Sequence, residues 1–263
     1  MLGFNGGLMG VRRVPTGSAA TGLWLQNEQS VAKRAAIWPQ VVTDPTAGLS
    51  PILWYDFSDE ATVTTASGQI TQITDKGSRG WTLAKSSTGP TYATTINGKK
   101  CSDWGTVSHS NFLRNTSSTS TNIAEIYCVQ DSSDTTSFAN GGSNSGLLGS
   151  WSDTSNIIIV NGTNTGFEGP FNMNRLYING GTSNTWSNVF PAIASPSLVR
   201  ITKNDGDVIA TDGGFQIGKD RGNFGRGWRG LIAEVICFSS VLNSTDRNSL
   251  QTWLAFKWGI TLA

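Results

Sequence analysis

From Ile52 to Phe238 the chain runs through short apolar stretches, each cut off by a turn signal before it is long enough to make a helix. The stretches are ILWYDF (52–57), QITQIT (69–74), AEIYCVQ (124–130), NIIIV (156–160), RLYIN (175–179), SLVRIT (197–202), GFQIG (214–218) and GLIAEVICF (230–238). Between them stand Asn97-Gly98, Asn161-Gly162, Asn179-Gly180 and Asp205-Gly206, pairs whose backbones tolerate the positive φ of tight hairpin turns. Eight or more strands with no helical run among them predict a two-sheet antiparallel sandwich.

One segment breaks the pattern. In LNSTDRNSLQTWLAFKWGI (242–260), Asn243 is placed to cap a helix and Asp246 follows three residues on, favourable beside the positive helix start. Leu250, Trp253, Leu254 and Trp258 share one helical face, so this short helix is expected to close the domain by packing.

Composition fits many short strands and turns. Charged residues make up 14% of the 263, against about 25% in an average chain, and glycine alone accounts for 31. The formal net charge of +1 gives no field to hold a polyanion, and no basic stripe is interleaved with aromatics, so nucleic acid is not an expected partner. No apolar run approaches a membrane span, and the first thirty residues lack the pattern of a signal peptide. A soluble protein made in a cytoplasm is the expectation. Cys101, Cys128 and Cys237 are odd in number and widely spaced, and they read as buried reduced thiols.

Residues 1–48 differ from the rest. A glycine-rich leader precedes GLWLQNEQSVAKRAAIWP (22–39), and Pro39, Pro45 and Pro51 then mark an extended linker. A helix of this length is marginal in water, yet the segment keeps Trp24 and Trp38, each able to bury roughly 150–250 Å². Docking on another subunit would offset the ordering of the leader; an arm folded back on its own sandwich is the competing account. The chain thus divides into an arm and linker, 1–48, and a sandwich, 49–263.

Two blocks resemble a known fold family. The opening, from Pro51 to Trp104, is similar to the start of concanavalin A-like, laminin-G-like jelly-roll domains in Leu53, Trp54, Asp56, Ser58, Asp75, Lys76 and Gly77. The ending matches that family in Gly230, Ile232, Ala233, Glu234, Leu242, Asn243, Leu254, Lys257, Trp258 and Gly259. The implied fold is an all-β, concanavalin A-like jelly-roll sandwich with a short C-terminal helix and an arm containing a short helix. The leader resembles that of virion structural proteins of tailed bacteriophages, cyanophages in particular, through Arg12, Arg13, Pro15, Thr16, Gly22, Leu23, Trp24, Glu28, Gln29, Arg34, Trp38 and Pro39. That likeness implies docking on capsid or tail subunits through Arg12, Arg13, Trp24, Glu28, Arg34 and Trp38, assembly in the host cytoplasm, and a homo-oligomer such as a trimer.

Catalytic patterns are thin. A glycosidase needs two carboxylates about 5–10 Å apart, and no single strand supplies them. Glu125 and Glu234 stand alone and read as solvated or loop-fixing acids, with a pair assembled from distant strands as the exception. His109 is the only histidine and lacks a serine-nucleophile context or metal-ligand spacing. No cofactor is expected, although NDGDV (204–208) and SDTSN (152–156) carry oxygen ligands that leave calcium open. Of ten tryptophans, Trp54, Trp253 and Trp258 are assigned to packing, while Trp81, Trp104, Trp151, Trp186 and Trp228 are candidates for stacking on a glycan. The expectation is a non-enzymatic virion protein, either capsid decoration or part of a tail or head fibre. A carbohydrate-binding adhesin for a host surface glycan is the alternative, and a glycan depolymerase the second.

Overall fold

A computed structural model describes residues 42, 44–85, 87–105, 111–115, 120–132, 145–150, 158–161, 166–168, 175–181, 195–202, 209–210, 214–219 and 227–263. The chain divides into Met1–Thr43 and Asp44–Ala263, and every described residue except Val42 belongs to the second unit. The docking residues expected from the sequence, from Arg12 to Trp38, lie outside the described residues, as does the arm helix.

The unit opens with the helical turn α1 (Thr46–Leu49), started by Asp44, whose Oδ1 accepts from both the backbone N–H and the hydroxyl of Thr46. The strands follow in chain order: β1 (Leu53–Asp56), β2 (Val63–Ala66), β3 (Gln69–Ile73), β4 (Leu83–Lys85), β5 (Thr91–Ile96) and β6 (Lys99–Asp103). Next come β7 (Leu113–Arg114), β8 (Asn122–Ile123), β9 (Glu125–Asp131), β10 (Ser145–Ser150), β11 (Ile158–Asn161) and β12 (Gly166–Glu168). The last are β13 (Arg175–Ile178), β14 (Ser197–Thr202), β15 (Ile209–Ala210), β16 (Phe215–Ile217) and β17 (Leu231–Phe238), before helix α2 (Ser244–Trp258).

Among the described residues fifteen strands make one antiparallel sheet in the order β12-β11-β10-β16-β7-β4-β3-β5-β6-β17-β9-β14-β13, with β1 beside β17 and β2 beside β3. The sheet curls so that its two halves face each other, as the stacking of Tyr55 on β1 against Phe215 on β16 shows, with centroids 6.0 Å apart. Between the halves lies one apolar layer. Leu83, Leu113, Phe215 and Ile217 come from one side; Leu53, Ile126, Cys128, Val199, Val235 and Cys237 come from the other. This is the expected all-β jelly-roll sandwich.

All eight apolar stretches become strands. Asn97 and Gly98 take φ of 50° and 71° and join β5 to β6 directly, with Ile96 opposite Lys99. Asn179 and Gly180 also take positive φ, but β13 pairs with β14, whose first residue is Ser197, so this turn begins a long connection rather than a two-residue hairpin. Ser67 and Gly68, at 52° and 77°, form a two-residue hairpin between β2 and β3 that the Asn-Gly pattern misses. Gly162 and the Asp205-Gly206 pair fall outside the described residues.

Helix α2 forms as its sequence predicts. The Asn243 side chain accepts from Asp246 N–H at 3.0 Å and donates to Asp246 Oδ2 at 2.7 Å, while Gly259, at φ 68°, ends the helix. Leu250, Trp253, Leu254 and Trp258 are all buried. They cover the outward face of the half of the sheet that holds β1, β17, β9 and β14, which gives this half a second buried layer.

Candidate functional site

The outward layer under α2 is built around two buried carboxylates on neighbouring strands, Glu234 and Glu125. In the sequence both read as isolated, solvated or loop-fixing acids; the structure corrects this, because each is enclosed and holds one end of α2.

Glu234 sits on β17, whose eight residues are all buried. A register shift against β9 between Ile232 and Glu234 changes the alternation: Ile232, Val235 and Cys237 belong to the inner core, so Glu234 turns outward under the helix. Its Oε1 accepts from Trp54 Nε1 at 2.7 Å, and its Oε2 from Trp258 Nε1 at 2.6 Å and from Lys257 Nζ at 2.7 Å. The same ammonium lies 2.8 Å from Oδ2 of Asp56, the register partner of Glu234 on β1. Lys76 continues the chain of charges, at 3.3 Å from Asp56 and 2.8 Å from Asp59. The two ammonium groups also lie on indole faces, Lys76 at 4.1 Å from the Trp54 centroid and Lys257 at 5.0 and 5.1 Å from those of Trp253 and Trp258.

Loss of water pushes the Glu234 carboxyl up to about 7, against the pull of Lys257. Burial works in the same direction on Asp56, but there Lys257, Ser58 and Lys76 together outweigh it and hold the group below its ordinary value. One lysine between two carboxylates thus stabilises the more accessible as an anion and leaves the deeper one easier to protonate.

Glu125, on β9, holds the other end. Its Oε1 takes Arg200 Nε from β14 and the Tyr127 hydroxyl at 3.0 Å, and its Oε2 accepts from Leu242 N–H, two residues before the helix, at 2.6 Å. Arg200 stacks on the Tyr177 ring at 4.3 Å. Burial alone would lower the guanidinium, but Glu125 raises it above its usual value.

Asp75 organises the turn beside β1. Its carboxylate accepts from the backbone N–H groups of Trp54 and Gly77, both at 2.7 Å, and of Trp81 at 3.2 Å. Burial raises its pKa, and these donors work against that. An open cleft of about 500 Å³ lies alongside, between α1 and this turn, lined by Asp44, Thr46, Ser50, Trp54, Lys76 and Ser78 among others. The Lys76 ammonium is already committed to Asp56 and Asp59, and the rest of the cleft wall is mostly apolar, with the serine hydroxyls and the exposed Asp44 carboxylate as its polar groups.

The aromatic candidates separate. Trp104 and Trp228 are each 1% exposed and belong to the core between the sheet halves, so neither can offer a ring to a sugar, a correction to the sequence reading. Gly218 exists for one of them: a Cβ there would stand 2.1 Å from the Trp104 ring. Trp81 is half-buried, packs against the core edge, accepts the Tyr55 hydroxyl on its carbonyl at 3.1 Å and has Arg79 5.9 Å from its ring. Trp151, Trp186, His109 and both calcium candidates, 152–156 and 204–208, lie outside the described residues. Among the described residues no group of three or more His, Cys, Asp or Glu side chains is arranged to hold a metal, and no helix is long and apolar enough to cross a membrane. Cys101, Cys128 and Cys237 are buried thiols, and burial raises the pKa of each.

No family model matches the chain. No curated protein matches it either. Among solved structures, a mutant of Trypanosoma rangeli sialidase displaying trans-sialidase activity is similar over 88% of this chain and 36% of its own length, at 13% identity and a TM-score of 0.38. The chain therefore spans about a third of that protein, and a likeness at this level carries no activity or substrate across.

Proposed function

We propose that the chain is a non-enzymatic structural protein of a phage virion, attached through residues 1–48 and presenting the sandwich outward as capsid decoration or as part of a tail or head fibre. The observation that carries the non-enzymatic part is the saturation of the buried acids. Among the described residues, the buried acids Asp56, Asp75, Glu125 and Glu234 each spend their oxygens on fixed internal donors, and the close pair among these four, Asp56 and Glu234, is bridged by Lys257 and capped by two indoles. A glycosidase pair needs one acid able to reach a glycosidic oxygen and another facing the sugar ring. The virion part is supported by the arm: its resemblance to phage virion leaders, and two tryptophans in a segment too short to be a stable helix alone.

The test is deletion of residues 1–48. The truncated protein is expected to fold as a β domain and to fail to enter particles, and electron micrographs of particles with and without the full chain locate it. Normal incorporation of the truncated protein would remove the arm from the account. Saturable binding of a host glycan tighter than about 100 μM, roughly −5.5 kcal/mol, would move the reading to an adhesin.

A further inference from the structure

β1 is the first strand that follows the arm in the chain, and it is tied on both edges and both faces. Along one edge it pairs with β17 from Leu53 opposite Cys237 to Asp56 opposite Glu234. The pairing is extended at either end by Ile52 N–H to Cys237 O at 2.9 Å and Phe57 N–H to Ala233 O at 3.1 Å. The other edge meets the turn 75–79 instead of a strand. There Lys76, Ser78 and Arg79 donate their N–H groups to the carbonyls of Trp54, Pro51 and Ile52 at 2.8, 3.0 and 3.1 Å, and Asp75 accepts from Trp54 N–H at 2.7 Å. The turn approaches so closely that a Cβ on Gly77 would stand 2.7 Å from Ile52 O. On the inner face Leu53, Tyr55 and Phe57 are completely buried. On the outer face Trp54 and Asp56 are keyed to Glu234 and Lys257.

Resting on the arm-attachment reading, we infer that β1 is a force-bearing anchor: a pull transmitted from the arm is taken up by β1 as a unit, without stripping it from the sandwich. Antiparallel hydrogen bonds lie across the strand, so tension along β1 loads both rows at once in shear. The bonds of a hairpin opened from its end fail one after another.

Amide hydrogen exchange on the full-length chain tests the tie without any particle. The amides of Ile52, Trp54, Phe57, Lys76, Ser78 and Arg79 are expected to exchange as slowly as those of β9, through global opening alone. Exchange about a hundredfold faster than β9, equal to roughly 2.7 kcal/mol of easier local opening, would overturn the anchor. Pulling single molecules between Met1 and a handle at Lys99→Cys tests the force itself. Once the arm is extended, the expected record is a single large rupture. An early release of roughly 50 Å, the length of residues 44–57 stretched out, would mean that β1 peels and the anchor is wrong. Asp75→Asn is expected to lower the rupture force and speed exchange at Trp54; no change in either would also count against it. Failure of the arm reading is separate, since particles formed normally without residues 1–48 would leave the exchange result standing.

Discussion

The sandwich has two buried layers made on different principles. Between the sheet halves, contacts are almost entirely apolar, from Ile70, Leu83 and Ile217 on one side to Val199, Val235 and Cys237 on the other. Under α2 the layer is just as dry, yet it contains Glu234, Glu125, Arg200 and Asp56 among Trp54, Tyr127, Phe238, Trp253 and Trp258. Apolar burial is non-directional. Indole-to-carboxylate and lysine-to-carboxylate bonds are directional, so the outer layer fixes where the helix sits. A helix covering a sheet face with its own apolar stripe could settle in several registers; one held at Leu242 by Glu125 and at Lys257 and Trp258 by Glu234 has one.

Removing a key from the outer layer should have the largest effect. Glu234→Ala leaves two buried indole N–H groups without an acceptor and takes one of two carboxylates from Lys257, and is expected to cost about 3–5 kcal/mol. A loss under about 1 kcal/mol in urea unfolding would show that the layer relaxes like the inner one. Trp258→Ala combines a cavity with a lost bond and is expected to cost a similar 3–5 kcal/mol, whereas Ile70→Val in the inner layer should cost only about 0.5–1.5 kcal/mol. Replacing Glu234 and Lys257 together by methionine sharpens the comparison: the ion pair goes, but Trp54 and Trp258 N–H lose their acceptor and Asp56 keeps only Lys76, so a loss of stability is still expected. The double variant should also lose helix order, seen as broadened indole resonances from Trp253 and Trp258. Sharp, unshifted resonances would deny the keys their positioning role.

Glu234 and Asp56, the two carboxylates that latch α2 to the sheet through Lys257, should also answer pH in opposite senses. Glu234 is raised in the folded state, so its contribution is fully present below pH 4.5 and is lost as pH rises toward about 7. Asp56 is lowered, so its contribution is present above about 3.8 and is lost as pH falls through its folded value. In Glu234→Gln the decline between pH 4.5 and 7 should disappear from chemical-denaturation curves while the acid limb remains; a surviving decline would place its origin elsewhere. The smallest effect expected is that of Asn243→Ala, which removes the helix cap for about 1 kcal/mol.

Periodicity and turn chemistry are local properties, so the sequence by itself determined eight of the seventeen described strands, the Asn97-Gly98 hairpin, the Asn243 cap and the buried face of α2. It also carried both halves of the latch, Trp54 and Asp56 near the start and Glu234, Lys257 and Trp258 near the end, without showing that they meet. That depended on β1 pairing with β17 across 180 residues, and on a register shift after Ile232 that no alternation pattern encodes. In one dimension Glu125 and Glu234 are lone acids in apolar runs, indistinguishable from solvated ones; Arg200 and Lys257 become their partners only once β14 and α2 are in place. Trp104 and Trp228 lie outside any strand pattern, and only the curl of the sheet decided that they are core. Composition sets how much apolar surface must be buried, but which acid is paired and which indole is hidden depends on contacts between residues far apart in the chain.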